Sequence, residues 1–176
     1  TIYFNNGDGT FRDVSMESGI HLEDKVHNAK GLGVLAGDVD RDNDLDIYVA
    51  NDLEPNLLYR NDGHWRLSER GVPAGVAYSE DGRAQAGMGV DFGDYDNDGD
   101  LDLFVANGYT SPDYSSTGIC VGQADHLYVA QADGHFVEMG DTQIEKKALP
   151  SASRGAIACD YDQDGDEDLL VTSNNG

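Results

Sequence analysis

Basic residues are scarce. Only 11 Lys and Arg stand against 34 Asp and Glu in 176 residues, a formal charge of −23 with histidine neutral. A surface of that sign excludes nucleic acid and anionic membrane as partners, because both need a cationic face that releases counterions or neutralises headgroups. Long apolar runs are missing too. No stretch approaches the ~20 residues of a membrane span, and no basic start leads into an apolar stretch as in a signal peptide, so no direct membrane insertion is expected. The chain opens on Thr1 and not on Met, as a processed or excerpted chain would. Cysteine is limited to Cys120 and Cys159, which form no CxxC pair. A disulfide in an oxidising compartment and two free thiols both stay open. GxSxG, P-loop, dinucleotide and HExxH patterns are absent, which leaves nucleophilic catalysis without support and an enzymatic role less favoured than a binding one. Helical periodicity is lacking as well.

Glycine is abundant, at 22 residues against a usual share of roughly 7%. Nine Tyr, five Phe and a 39% apolar content exclude a solvated acidic tail. Self-similarity organises the rest. One nine-residue acidic string occurs three times, as DVDRDNDLD from Asp38 to Asp46, DYDNDGDLD from Asp94 to Asp102 and DYDQDGDED from Asp160 to Asp168. Each has Asp at positions 1, 3, 5, 7 and 9. The strings start 56 and 66 residues apart, somewhat longer than the roughly 40 to 50 of common propeller blades. A Tyr followed by a glycine turn and an aromatic recurs beside them, at Tyr3, Gly9 and Phe11, at Tyr59, Gly63 and Trp65, and at Tyr128, Gly134 and Phe136.

One unit then assembles from strand and turn signals. A strand over Leu32–Gly37 enters the acidic loop and a second, Asp46–Ala50, leaves it. A third around Asn56–Arg60 turns at Asn61–Gly63 into a fourth, His64–Ser68. Four short antiparallel strands form a β-propeller blade, so the fold class is all-β. The expected division is two closing strands over 1–16, a blade over 30–70, a blade over 86–140 with an insertion at 108–124, and two opening strands over 153–176. About three blades fall short of the four to eight that close a ring. The expectation is a piece of a larger propeller, or copies that complete one another.

Five carboxylates in nine residues repel one another unless a cation sits among them. Asp side chains at positions 1, 3 and 5, a carbonyl at 7 and a carboxylate at 9 suit a hard cation with six to eight oxygens at about 2.3 to 2.6 Å, which is calcium. Magnesium prefers a tighter octahedron, and zinc or copper would call for His or Cys, which these loops lack. An EF-hand needs Glu at position 12, where Val49, Val105 and Val171 stand. Position 6 is Gly99 and Gly165 but Asn43 in the first loop, the next most tolerant residue for a left-handed turn. Positions 2 and 10 are apolar (Val39, Tyr95, Tyr161; Ile47, Leu103, Leu169) and should anchor each loop to its sheet. At position 8, Glu167 replaces Leu45 and Leu101 and sets the third loop's exit apart.

These residues resemble the FG-GAP and VCBS repeats of integrin-type β-propellers, whose inter-strand loops follow DxDxDGxxD and bind calcium. The segment Gly75 to Asn107, above all Glu80-Asp81-Gly82-Arg83-Ala84-Gln85-Ala86-Gly87-Met88-Gly89, is similar to the bacterial branch of the cartilage acidic protein (ASPIC/UnbV) family. The resemblance implies a secreted or periplasmic seven-bladed propeller with calcium in about three loops of this chain. It carries over Asp38, Asp40, Asp42 and Asp46, then Asp94, Asp96, Asp98 and Asp102, then Asp160, Asp162, Asp164 and Asp168 as side-chain ligands. Asp44, Asp100 and Asp166 carry over through their backbone carbonyls.

Other residues have plainer readings. Tyr109 and Tyr114 in the insertion could stack on a sugar or pack on a partner, or simply belong to a variable loop. Asp91 replaces an apolar residue of the first strand; it could bind a ligand or ion in the channel, but a salt bridge to Arg83 is the plainer expectation. His64 and His135 read as turn residues. The functional expectation is a calcium-binding, extracytoplasmic scaffold or adhesion-type module with a protein or glycan ligand, or with neighbouring blades or subunits as partners. The alternatives are a lectin or polysaccharide lyase, drawing on Arg83, Arg154, His126, Tyr109 and Tyr114, and a subunit of a surface assembly.

Overall fold

A computed structural model describes residues 1–20, 29–64, 66–108, 123–139 and 152–174. Within them the chain is all-β apart from a single helical turn, α1 (Ser15–Ser18). Strands β1 (Tyr3–Asn5) and β2 (Phe11–Asp13) make a two-stranded antiparallel sheet. Strands β3 (Gly31–Gly37), β4 (Asp46–Asn51), β5 (Leu57–Asn61) and β6 (Leu67–Glu69) form a four-stranded meander in chain order. So do β7 (Gly87–Gly93), β8 (Asp102–Asn107), β9 (His126–Ala130) and β10 (Phe136–Met139). Strands β11 (Ala152–Cys159) and β12 (Asp168–Asn174) pair antiparallel. Consecutive four-stranded meanders whose first strands pack side by side are a propeller-like arrangement.

The strands follow the alternation that a sheet face requires. In β4, Tyr48 and Ala50 are buried while Ile47 and Val49 are half-buried, and β8 is buried throughout because it lies under two neighbouring layers. Tyr48, Ala50 and Leu58 of one meander and Leu103, Val105, Tyr128, Ala130 and Phe136 of the next share a core with Ala74 and Val76 from the intervening connection. The Tyr48 hydroxyl donates to the Val76 carbonyl (3.1 Å), so its polar end is paired inside that core. The fourth strand begins at Leu67 and not at His64, because His64 takes φ 57° and prolongs the hairpin turn. Asn61, expected in the turn, instead ends β5.

First strands of neighbouring sheets meet at glycine. β3, β7 and β11 each carry a register shift against their partner, between Gly31 and Gly33, Gly87 and Gly89, and Ser153 and Gly155. Beside that shift the neighbouring first strands touch backbone to backbone. A Cβ on Gly33 would lie 2.5 Å from the Met88 carbonyl oxygen, and one on Gly89 would lie 2.5 Å from Gly155 Cα and 2.7 Å from Ala156 N. Neither contact can yield, since both involve main chain. Gly89→Ala should therefore lower stability by about 1–3 kcal/mol, read as a lower urea midpoint at unchanged slope; an unchanged midpoint would show that the strands are not this close.

Candidate metal-binding loops

Each acidic string closes the turn from the first to the second strand of its sheet, β3 to β4, β7 to β8 and β11 to β12. The closure is built from carboxylates that accept backbone N–H groups. Asp38 accepts from Asp42 N and Asn43 N (3.1 and 3.0 Å), Asp94 from Asp98 N and Gly99 N (both 3.0 Å), and Asp160 from Asp164 N and Gly165 N (both 3.1 Å). Position 5 repeats the device on a smaller scale, with Asp42, Asp98 and Asp164 accepting from Asp44 N, Asp100 N and Asp166 N. Position 6 is left-handed in all three loops, including Asn43 at φ 71°, so the first loop closes without glycine. Position 4 is left-handed as well, in Arg41, Asn97 and Gln163 (φ 60°, 61° and 63°), although only Asn97 is a residue type that signals it.

Position 9 does the deepest work. The Asp46 side chain accepts from Val39 N (3.1 Å) and from Asn61 N on β5 (2.8 Å); Asp102 accepts from Tyr95 N (3.0 Å) and from Ala130 N on β9 (2.8 Å). Both carboxylates are fully buried. Burial pushes the Asp46 carboxyl up to about 6, against the pull of its two N–H donors and Arg60, and raises Asp102 for the same reason. A carboxylate held this dry is costly to ionise, and a cation beside it removes that cost. In the third loop Asp168 accepts only from Tyr161 N (3.2 Å), because β12 has no third strand beside it among the described residues, and it stays half-buried.

Carboxylate oxygens converge in each loop. Asp38, Asp40 and Asp42 bring theirs within 4.8 Å of one another, as do Asp94, Asp96 and Asp102, and Asp160, Asp162 and Asp168. That separation is within reach of one cation holding oxygens at about 2.3 to 2.6 Å, and the all-oxygen donor set fits calcium. Position 7 faces elsewhere. Arg41 of the first loop ion-pairs with Asp100 of the second, and Asn97 of the second donates to Asp166 of the third (2.9 Å). Position 8 also reaches the preceding sheet: Leu101 packs over Gly37, and Glu167 lies over Gly93 and accepts from Asp94 N (3.0 Å). Of the expected anchors, Val39 and Leu103 are buried and Tyr161 is exposed.

The remaining sequence expectations divide. Asp91 does not pair with Arg83. Its carboxylate accepts from Ala158 N (2.6 Å), an N–H on the edge of β11 that points away from β12, while the exposed Arg83 lies 3.3 Å from Asp81. Arg154 donates to the Gly108 and Ser153 carbonyls, and the buried His126 holds Glu138 (2.5 Å) and stacks on Tyr128. Cys159 is exposed. Cys120, Tyr109, Tyr114 and Trp65 lie outside the described residues, as does most of the insertion. The strap Ser79–Gly87 docks on both meanders, with Leu53 N donating to the Gln85 carbonyl (3.0 Å) and Gly108 N to the Ala86 carbonyl (2.8 Å). Two residues that no sequence expectation singled out are Asn51 and Asn107, fully buried at the ends of β4 and β8, whose amides donate to the Pro55 and Ala124 carbonyls (both 2.7 Å). Their signal is the repeated Val-Ala-Asn that follows the first two loops.

A profile of the FG-GAP-like repeat matches residues 1–49 and again 38–105, together more than half of the chain. The chain belongs to the FG-GAP-like repeat family. It is also similar to cartilage acidic protein 1 of Mus musculus (29% identity over 164 residues, 93% of this chain) and of Homo sapiens (30% over 179 residues, 97% of this chain). The Xenopus tropicalis protein of that name matches at 28% over 145 residues, 82% of this chain. The chain spans 20–24% of the length of these relatives. The two profile matches overlap at 38–49, on the first acidic loop and the start of β4.

Asp91 ties two sheets of the family fold together. Asp91→Ala strands the Ala158 N–H and should cost roughly 1–3 kcal/mol, whereas Asp91→Asn keeps an accepting oxygen and should recover more than half of that loss. Equal urea midpoints for the two variants would show that the bond contributes nothing.

Proposed function

We propose that the chain is a calcium-stiffened binding module that works outside the cytoplasm. The observation that carries this reading is the threefold convergence of carboxylate oxygens within 4.8 Å, at the same turn of three successive sheets. Asp38, Asp40, Asp42 and Asp46, with Asp94, Asp96, Asp98 and Asp102 and then Asp160, Asp162, Asp164 and Asp168, would hold the ions through side chains; Asp44, Asp100 and Asp166 would contribute carbonyls. The ion's part is electrostatic: it neutralises a dry carboxylate and fixes the turn between the inner strands.

Connectivity puts a second set of loops at the other end of the sheets. Antiparallel strands place the β4–β5, β6–β7 and β8–β9 connections at the end of the sheets opposite the acidic loops. A protein or glycan ligand is assigned to that opposite end, where the Ser79–Gly87 strap and the borders of the insertion lie. An extracytoplasmic setting agrees with relatives named for cartilage and with calcium-loop chemistry.

Calcium titration of EDTA-stripped protein, followed by melts at both endpoints, tests the reading. A site held at a hundred times its Kd adds about 2.7 kcal/mol, and at roughly 2–4 °C per kcal/mol for a chain of this size two or more sites should raise Tm by about 10 °C or more. Asp98→Ala should remove one site and several degrees of that rise, and Glu17→Ala, on the exposed helical turn, should remove neither. Absence of calcium heat, or equal losses in the two variants, would overturn the metal reading.

A further inference from the structure

We infer that Arg60 is a built-in counter-ion of the first acidic loop, so that this loop takes calcium far more weakly than the other two. The inference rests on the calcium reading above. All three loops share one register of five acids, yet their oxygens converge differently. The second and third loops gather positions 1, 3 and 9, as Asp94, Asp96 and Asp102 and as Asp160, Asp162 and Asp168. The first gathers positions 1, 3 and 5, as Asp38, Asp40 and Asp42, and leaves Asp46 out.

Arg60 accounts for the difference. Its guanidinium, 14% exposed, ion-pairs with Asp40 at position 3, and its Nε lies 3.6 Å from Asp46 Oδ2 at position 9. Those are two of the three positions that converge in the sister loops. A guanidinium keeps its charge at every accessible pH and offers a planar fork of donors suited to carboxylates, so it stands where a metal's charge would be needed. The register shows why no sister loop is affected. Tyr59 pairs with Ile47 and Tyr128 with Leu103, both at position 10, so the residue equivalent to Arg60 in the second meander is Val129. The third loop has no such strand beside it among the described residues. Arg41 also contacts a neighbouring loop, but at Asp100, position 7, where it leaves the converging oxygens of that loop untouched.

The loops are thus not equivalent: the first is closed by the protein's own cation, and the other two wait for calcium. The experiment is a calorimetric calcium titration of the EDTA-stripped full chain as wild type, Arg60→Val and Val129→Arg, with circular dichroism to check folding. Wild type should show two tight sites and a third at least ten-fold weaker. Arg60→Val should tighten the third at least ten-fold, and Asp42→Ala should delete the weak site and spare the tight pair. Val129→Arg, which grafts the guanidinium beside the second loop, should weaken one tight site at least ten-fold. If Arg60→Val does not fold, Val129→Arg decides alone, and two undiminished tight sites would overturn the inference. Three equal sites in wild type, or unchanged affinities in Arg60→Val, would overturn it while leaving the calcium reading intact; no calcium binding in any form would remove both.

Discussion

The carboxylate that ends each of the first two acidic loops joins the start of its loop to the third strand of its sheet. Asp46 and Asp102 accept one N–H from the second residue of their own loop and one from the third strand of their sheet. Each is wholly out of water. A dry anion in that position locks the exit of the loop to the strand beyond the next turn. In the second and third loops the rest of the acidic register, from the capping role of position 1 to the left-handed residues at 4 and 6, brings further oxygens up to the same place.

Contacts between sheets recur at two levels. Along the first strands of the sheets, main chain meets main chain at Gly33 and Gly89, and Asp91 fills the free hydrogen-bonding edge of β11. At the loop end, position 4 of one loop reaches position 7 of the next, and position 8 folds back over the preceding sheet. Each acidic loop is therefore also an inter-sheet joint. That dual role explains why position 7 keeps an acid although its side chain lies away from the converging oxygens: Asp100 and Asp166 receive the neighbour's Arg41 and Asn97.

Much of this architecture is legible in the order of residues. The all-β class, the strand on either side of each acidic loop and the left-handed turn at position 6 follow from local rules, because strand alternation, hairpin glycines and Asx-type capping act within a few residues. His64 shows the limit. Its left-handed backbone delays β6, and nothing in the pattern Asn-Asp-Gly-His tells a three-residue turn from a four-residue one. Asp91 shows another. Arg83, the basic residue nearest to it in the expected unit, is its obvious partner by sequence, whereas the true partner is an N–H 67 residues away.

What the sequence by itself determined is the repeat: where the acids fall, how fifteen aspartates are spaced in three registers, and that the strands between them alternate. Tertiary structure alone decided which loops are alike. Arg60 lies fourteen residues after Asp46, on the third strand of its sheet, and only the pairing of β4 with β5 brings its guanidinium to Asp40 and Asp46. Cross-loop partners were equally hidden, since Arg41 and Asp100 are 59 positions apart and meet only because adjacent sheets stack. Local chemistry is written in neighbours along the chain, while electrostatic balance at a site is set by every charge within a few ångströms in space.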